Sequence, residues 1–486
     1  MTISPRKRER LAAFLGSLTT AAALKLFASL EAERAAVHLG ASSGANSPGV
    51  NALPHGALIS DLRDRLVQRG AIFPPRKPDA RRMFFEPFED FFIGAHTGVK
   101  RKAQIARSSL IPIWRLMMAD QTTGDAAQAA AKLDDALLES ADGVDVLERA
   151  LFIAAEAGLG RLCARAEEDH AARDLLITAL GSEEAYNDLI EIHQLLQGVE
   201  FLKQLQRMIP SAAPALTEEQ YYDLRTLFLS AHNQSRGIGV YILLALKGRL
   251  EKPWRALGVY YHLAQGADDR LRAAKTEVTT LPESLFEDLE VLARGLENDC
   301  AKALDAETAG MRVSFFADYA DGLARQSARA GDNVYLNRIE ACKDVAGEAL
   351  DRFAEQALAG LRAAMPVRHA GGSSRLTSLR PDLSRPVAAT VVEDAADAAQ
   401  LIAKAQDLAE RLSADQSFTA SIADDAAAQL HSFATDLVAE VRAAEGVERK
   451  IAQRTLDSVL MVAAPLLNSD EIVQIRDRAA AAFMTI

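Results

Sequence analysis

Cysteine is scarce in this chain: three among 486 residues, at positions 163, 300 and 342. An odd number at such wide spacings makes neither a disulfide framework nor a Cys-x-x-Cys metal motif, and points to a reducing compartment. Their default role is that of buried thiols. Aromatic residues are also few, at 6%, and Val, Ile and Thr are not gathered into the alternating runs that a sheet requires. A basic excess is missing as well. The net charge of −12 argues against general nucleic-acid binding, which needs a broad cationic footprint to displace counterions. No apolar run reaches the roughly 20 residues needed to span a bilayer. The longest, "IGVYILLAL" at 238 to 246, has the length of a buried helix.

Several chemical signatures are lacking too. The chain has no GxxxxGK[ST], no HExxH and no complete GxGxxG; Gly237-Ile238-Gly239 lacks both the third glycine and a preceding strand. One E-x-x-H occurs, Glu167 to His170, where a di-iron carboxylate bundle needs two plus two further Glu. His193 has Asp188 and Glu191 nearby but no matching segment elsewhere. No metal site and no cofactor are expected. Asp318 and Asp321 stand at i and i+3 in "DYAD", and Asn333, Asn337, Glu340 and Asp344 follow one polar stripe. Paired carboxylates of this kind on a solvated helical face are routine in an acidic protein. "RHAGGSSR", 368 to 375, offers His, Gly and Ser together, but in a composition too flexible to hold a nucleophile in place.

What the chain does have is helix-forming sequence. Ala and Leu with frequent Glu and Arg lose little rotamer freedom in a helix, so the expected fold class is all-α. Its length suggests several units. Residues 1–39 read as an amphipathic N-terminal helix, with Leu11, Phe14, Leu15, Leu18, Leu26, Phe27 and Leu30 largely on one face. That pattern runs past any cleavage point of a secretory signal. Residues 40–56 are a small, polar, Gly/Pro-containing linker. Residues 57–365 are read as a central multi-helix domain, opening with Leu58, Ile59, Leu62 and Leu66 on one face of a helix ended by Gly70. "AIFPPRKPDA" then runs extended. "TEEQ" at Thr217 to Gln220 and "SLFE" at Ser284 to Glu287 read as capping boxes, and Ser182 as an N-cap. Residues 366–386 form a Pro/Gly/Ser/Arg linker, and 387–486 a C-terminal helical bundle. No tetratricopeptide, ankyrin or HEAT period is present.

The most unusual stretch is "FFEPFEDFFIGAHTGVKRKAQIARSSLIPIW", 84 to 114. Phe84, Phe85, Phe88, Phe91 and Phe92 share one helical face, with Pro87, Glu89 and Asp90 suited to a first turn and Gly94 as the stop. They are expected to form an aromatic anchor that nails an irregular segment to the core, with a partner-binding wedge as the competing reading. Lys100, Arg101, Lys102 and Arg107 form a basic arm expected at the surface, because charges are rarely buried unpaired. The arm leads to Ser108 or Ser109 as a helix cap, with Pro112 in the first turn. A basic loop delivered to a helix N-terminus is a candidate anion- or partner-binding segment; a solvated loop balancing nearby acids is the plainer alternative. Together these features suggest a non-catalytic protein-interaction or adaptor/scaffold protein of a bacterial-type cytoplasm. Its expected partner is a protein, with weak membrane-surface contact through the N-terminal helix (Arg6, Lys7, Arg8, Arg10) as an addition and nucleic acid disfavoured. An all-α enzyme acting on a phosphorylated or anionic ligand in the central domain is the alternative.

Overall fold

The computed structural model describes residues 79–96, 100–119, 121–139, 143–235, 237–264, 275–302, 305–331, 333–369 and 379–484, together with residues 15, 23–27, 29–30, 62 and 65–66. Nearly all of this is helix. The fold is all-α, and the strands among the described residues are two short pairings: β1 (Phe92–Ile93) with β2 (Ile105–Ala106), parallel, and β3 (Val367–His369) with β4 (Leu379–Pro381), antiparallel. The chain divides into two compact units, Met1–Leu285 and Phe286–Ile486.

In the first unit, Leu15 and Ala23 are buried with Leu62 and Leu66, and Leu24, Leu26, Phe27 and Leu30 pack partly buried against them. The apolar faces read at either end of the 40–56 segment thus share a cluster. That segment, the "AIFPPRKPDA" stretch up to 78, Leu11, Phe14, Leu18, Leu58, Ile59 and the basic start of the chain lie outside the described residues.

Helix α1 (Ala80–Phe85) is capped by Asp79, whose carboxylate accepts the Arg82 N–H at 2.8 Å. A 3-10 turn (Glu86–Phe91) continues it. The expected single α-helix over the Phe cluster is corrected here: Pro87 has no N–H to return to Met83, so the α ladder stops and the tighter turn takes over. All five Phe are nonetheless buried. Phe84 packs on Trp114 and Phe152, and Phe91 stands edge-on to Tyr241 at 5.9 Å. Asp90 receives both carboxylate contacts from Arg249, at 2.9 and 3.0 Å, while Arg249 also donates to the Ile209 carbonyl at 2.6 Å. The aromatic segment is therefore part of the core, held by packing and by one largely buried ion pair in which Arg249 Nη1 bridges both Asp90 oxygens.

Beyond β2 come α2 (Arg107–Ala119), α3 (Gly124–Glu139), α4 (Val144–Glu168), α5 (His170–Leu180) and α6 (Glu183–Leu196). Helices α3, α5 and α6 all pack on α4, and α6 also packs on α2. Ser182 caps α6 as expected, accepting from Ala185 N–H at 3.1 Å. After α7 (Val199–Met208), Thr217 and Gln220 close a reciprocal capping box on α8 (Glu218–Gln234). Helix α9 (Ile238–Arg249) is buried at every residue from 238 to 246, as its unbroken apolar run requires. It is followed by α10 (Ala256–Ala264) and α11 (Lys275–Ala301), within which the division between units falls.

The second expected capping box is corrected by α11, which runs straight through Ser284 to Glu287. Leu281, Leu285, Phe286 and Leu289 are all fully buried, so packing of a continuous apolar face overrides the local start signal. The Ser284 hydroxyl accepts from Lys247 at 2.7 Å instead.

The second unit contains α12 (Ala306–Ala330), α13 (Leu336–Ala363), α14 (Ala389–Arg411), α15 (Gln416–Ala443), α16 (Gly446–Ala463) and α17 (Ser469–Met484). Helices α12, α13 and α14 pack mutually, and α15 packs on α13, α14, α16 and α17. The helices on both sides of the 366–386 segment thus share one core, and the boundary between compact units lies at 285/286. Within that segment β3 pairs with β4, while 370–378, including most of the His/Gly/Ser stretch, lies outside the described residues. Asp318 and Asp321 are not free carboxylates. Arg411 donates to Asp318 at 2.6 Å and to Asp321 at 2.9 Å, and Lys343 stands 3.4 Å from Asp321.

Asp351 on α13 is less well served: its Oδ1 is buried without a hydrogen-bond partner. Burial, then the charges of Asp415, Glu355 and Glu348, push its carboxyl above the ordinary value. A carboxyl raised in the folded state costs stability once pH climbs past its unfolded value. Asp351→Asn is expected to raise the melting temperature at pH 7, with the gain shrinking toward pH 4; calorimetry at the two pH values checks it.

Candidate functional site

The basic arm meets α6, and the meeting point is an acid pair that sequence reasoning passed over. Asp188 has no exposed surface, and Glu191, one helical turn on, is nearly as buried. Four groups answer the Asp188 carboxylate. Lys100 forms an ion pair with it; His96 Nε2 lies at 3.1 and 3.2 Å from its two oxygens; the Ala106 N–H donates at 3.1 Å and the Ser109 hydroxyl at 2.7 Å. Glu191 takes Lys100 at 2.9 Å, the Ala103 N–H, and the Tyr241 hydroxyl at 3.3 Å. Lys100 also donates to the Gln104 carbonyl at 2.7 Å. A buried carboxylate demands such satisfaction, because the charge has lost its water.

This geometry revises the expected arm. Lys100 points inward rather than into solvent. Arg101 and Lys102 remain at the surface, Arg101 half-buried and Lys102 exposed. Arg107 forms an exposed pair with Glu89 and lies 5.6 Å over the Phe92 ring. Helix α2 begins at Arg107, so neither Ser108 nor Ser109 caps it, and Pro112 falls in its second turn rather than its first. Ser108 is exposed; Ser109 is buried and spends its hydroxyl on Asp188. The N-terminus of α2 and the cation do meet an anion, and that anion is the chain's own Asp188. A carboxylate at this end of a helix also complements its macrodipole.

Lys102 has the other role. Its ammonium lies 5.0 Å over the Tyr241 ring and forms no ion pair with a described residue. There it borders two adjoining cavities of about 410 Å³ each, which share Lys102, Ile190, Gln194 and Tyr241. One extends toward Gly160, Cys163 and Glu167, the other toward Arg101 and Asn187. The Tyr241 hydroxyl donates to Gln194 Oε1 at 2.6 Å, and burial followed by the Glu191 charge pushes its ionisation well above the ordinary phenol range. Gly160 gives the His193 ring room, since a Cβ there would sit 2.9 Å from His193 Nε2 and the imidazole would have to shift.

Two reactive residue types line the first cavity, and both are held in their neutral forms. Burial, helped by Glu167, pushes the Cys163 thiol up to about 11, away from a nucleophilic thiolate. Burial pulls His193 below the ordinary histidine value, against the opposing charges of Glu156 and Glu167; Glu156 lies 3.8 Å away. Among the described residues, no group of three or more His, Cys, Asp or Glu is placed to hold a metal ion.

Comparison with family models, with curated proteins and with solved structures finds no match to this chain.

Lys100 and Lys102 are two residues apart and opposite in consequence. Lys100→Met leaves two buried carboxylates without their cation and is expected to cost about 3–5 kcal/mol. Lys102→Met, at an exposed site, should stay within about 0.5 kcal/mol of wild type; urea denaturation of the two variants measures both. For His193, the depressed folded value means that the unfolded chain binds the extra proton first as pH falls below the ordinary histidine value. Wild type is therefore expected to lose more stability between pH 7 and pH 5 than His193→Gln, and the same denaturation series at both pH values reads the difference.

Proposed function

We propose that this chain is a non-catalytic protein-interaction or adaptor protein, working in a bacterial-type cytoplasm, whose partner is a protein recognised at the arm between Lys100 and Arg107. The observation that carries this reading is the division of labour along the arm. Lys100 is consumed in anchoring it to Asp188 and Glu191, and the anchored backbone presents Lys102 at the rim of an open trough with no ion pair to a described residue. A fixed cation costs less entropy to engage than one on a mobile loop, so it serves recognition better. No helix among the described residues is long and apolar enough to cross a membrane. Weak contact of the N-terminal basic helix with an anionic membrane surface remains a secondary part of the proposal, and resides in residues outside those described.

The competing reading, an all-α enzyme acting on a phosphorylated or anionic ligand in the central domain (57–365), draws on the neutral imidazole of His193, a form able to accept a proton, in the same cavity as Lys102. It requires that phosphate-bearing ligands raise the melting temperature, as any ligand of the native state must.

The test uses the triple variant Arg101→Glu, Lys102→Glu, Arg107→Glu, which leaves Lys100 in place and is expected to fold with the wild-type circular dichroism spectrum. Immobilised wild type should retain a protein from native lysate that the triple variant loses, and added salt should weaken that retention. Identical retention by both chains would remove the arm from recognition, and stabilisation by a phosphorylated compound would favour the enzyme.

A further inference from the structure

The trough flanked by Lys102 has a lining that points to a particular kind of occupant. Along α6 and its C-cap, Asn187, Ile190, Gln194 and Gln197 fall on one face at spacings of three, four and three. Three of these four carry carboxamides. Gln194 spends its Oε1 on the Tyr241 hydroxyl, which leaves its NH₂ facing away from the phenol. The side-chain amides of Asn187 and Gln197 form no hydrogen bond with a described residue. A carboxamide both donates and accepts, as a peptide backbone does. Ten residues of helix rise about 15 Å, the span of roughly four or five residues of extended chain.

Charge sets the direction. At the arm end stands Lys102, beside Arg101, and Glu191 there is already neutralised by Lys100. The other cavity is lined by Gly160, Cys163, Ala164 and Ile238, which offer small or apolar surface, and also by Glu167 and His193. An acidic side chain fits the first place and is repelled from the second, while an apolar one fits the second.

Resting on the interaction reading above, we propose that this trough binds a short extended segment of the partner protein, about four or five residues long. Its backbone runs along the carboxamides of Asn187, Gln194 and Gln197, an acidic side chain meets Lys102, and an apolar side chain enters the lobe walled by Gly160 and Ala164.

The experiment pans the full-length protein against a phage library of random linear peptides, then measures the enriched peptides by fluorescence anisotropy. The enriched sequences should pair an acidic residue with an apolar one a few positions away. Replacing that acid by its amide should weaken binding by about tenfold or more, the scale of a lost charge-assisted hydrogen bond. Lys102→Glu should do the same. Ala164→Phe fills the apolar lobe from an exposed position and should abolish binding while the melting temperature holds. Absence of enrichment, a consensus without an acid, or undiminished binding by either variant overturns the proposal. Displacement of the peptide by free succinate at comparable concentration would also overturn it, assigning the trough to a small organic anion. The two levels of inference separate cleanly. A lysate partner lost with Arg101, Lys102 and Arg107 but retained by Ala164→Phe keeps the adaptor reading and removes the trough; no loss in the triple variant removes the reading itself.

Discussion

Burying a carboxylate with no exposed surface obliges the chain to supply, from its own atoms, everything that water would have given it. Asp188 imposes that demand, and the organisation around the arm is the response to it. An ammonium, an imidazole, a hydroxyl and a backbone N–H converge on one side chain from four residues spread over 96–109. None of these groups lies in a long regular element before Arg107. The described residues 100–106, which hold no helix, are therefore fixed in space by electrostatics, and the fixing also positions the N-terminus of α2, the parallel pairing of β1 with β2, and the exposed Lys102. Removing water strengthens the attraction and raises the penalty for a missing partner together. The arrangement is accordingly closer to all-or-none than a set of surface pairs would be.

The second unit uses charge more loosely. Arg411 bridges Asp318 and Asp321, and Lys343 joins them, at sites that keep a fifth or more of some side chains exposed. Pairs of that kind register α12, α13 and α14 against one another, and each contributes modestly because solvent still screens it. The difference between the two acid pairs is one of burial rather than of residue type. It separates carboxylates that organise a segment from carboxylates that merely fit a helix interface.

The aromatic segment and the arm, adjacent in sequence, obey different physics. Five Phe side chains gain by leaving water and pack wherever a core accepts them, so their burial was legible from spacing alone. Pro87 disturbed only the local ladder, changing the turn type without changing the destination of the rings. The arm could not be read the same way. A run of Lys and Arg says surface by default, and the exception at Lys100 exists because of a carboxylate 88 residues away. A signal did exist in "DLIEIHQLL": Asp188 sits on the same face as Leu189, Ile192 and Leu195, all of them buried. A charge on a core face implies a hidden counter-charge. It does not say which cation, since the sequence offers many.

Sequence by itself determined the fold class, the amphipathic faces, the caps at Ser182 and Thr217, the depth of the 238–246 run and the inward turn of the Phe cluster. All of these follow from local periodicity, backbone donors and apolar transfer, which act within a few turns of chain. Tertiary structure alone decided that α11 continues through its apparent start signal, that the helices on both sides of the 366–386 segment share one core, and that Lys100 and Lys102 part ways. Each of those depends on which distant surface a segment meets. The free energy of burying a face or satisfying a buried charge exceeds the few tenths to about 1 kcal/mol that a cap or a propensity supplies.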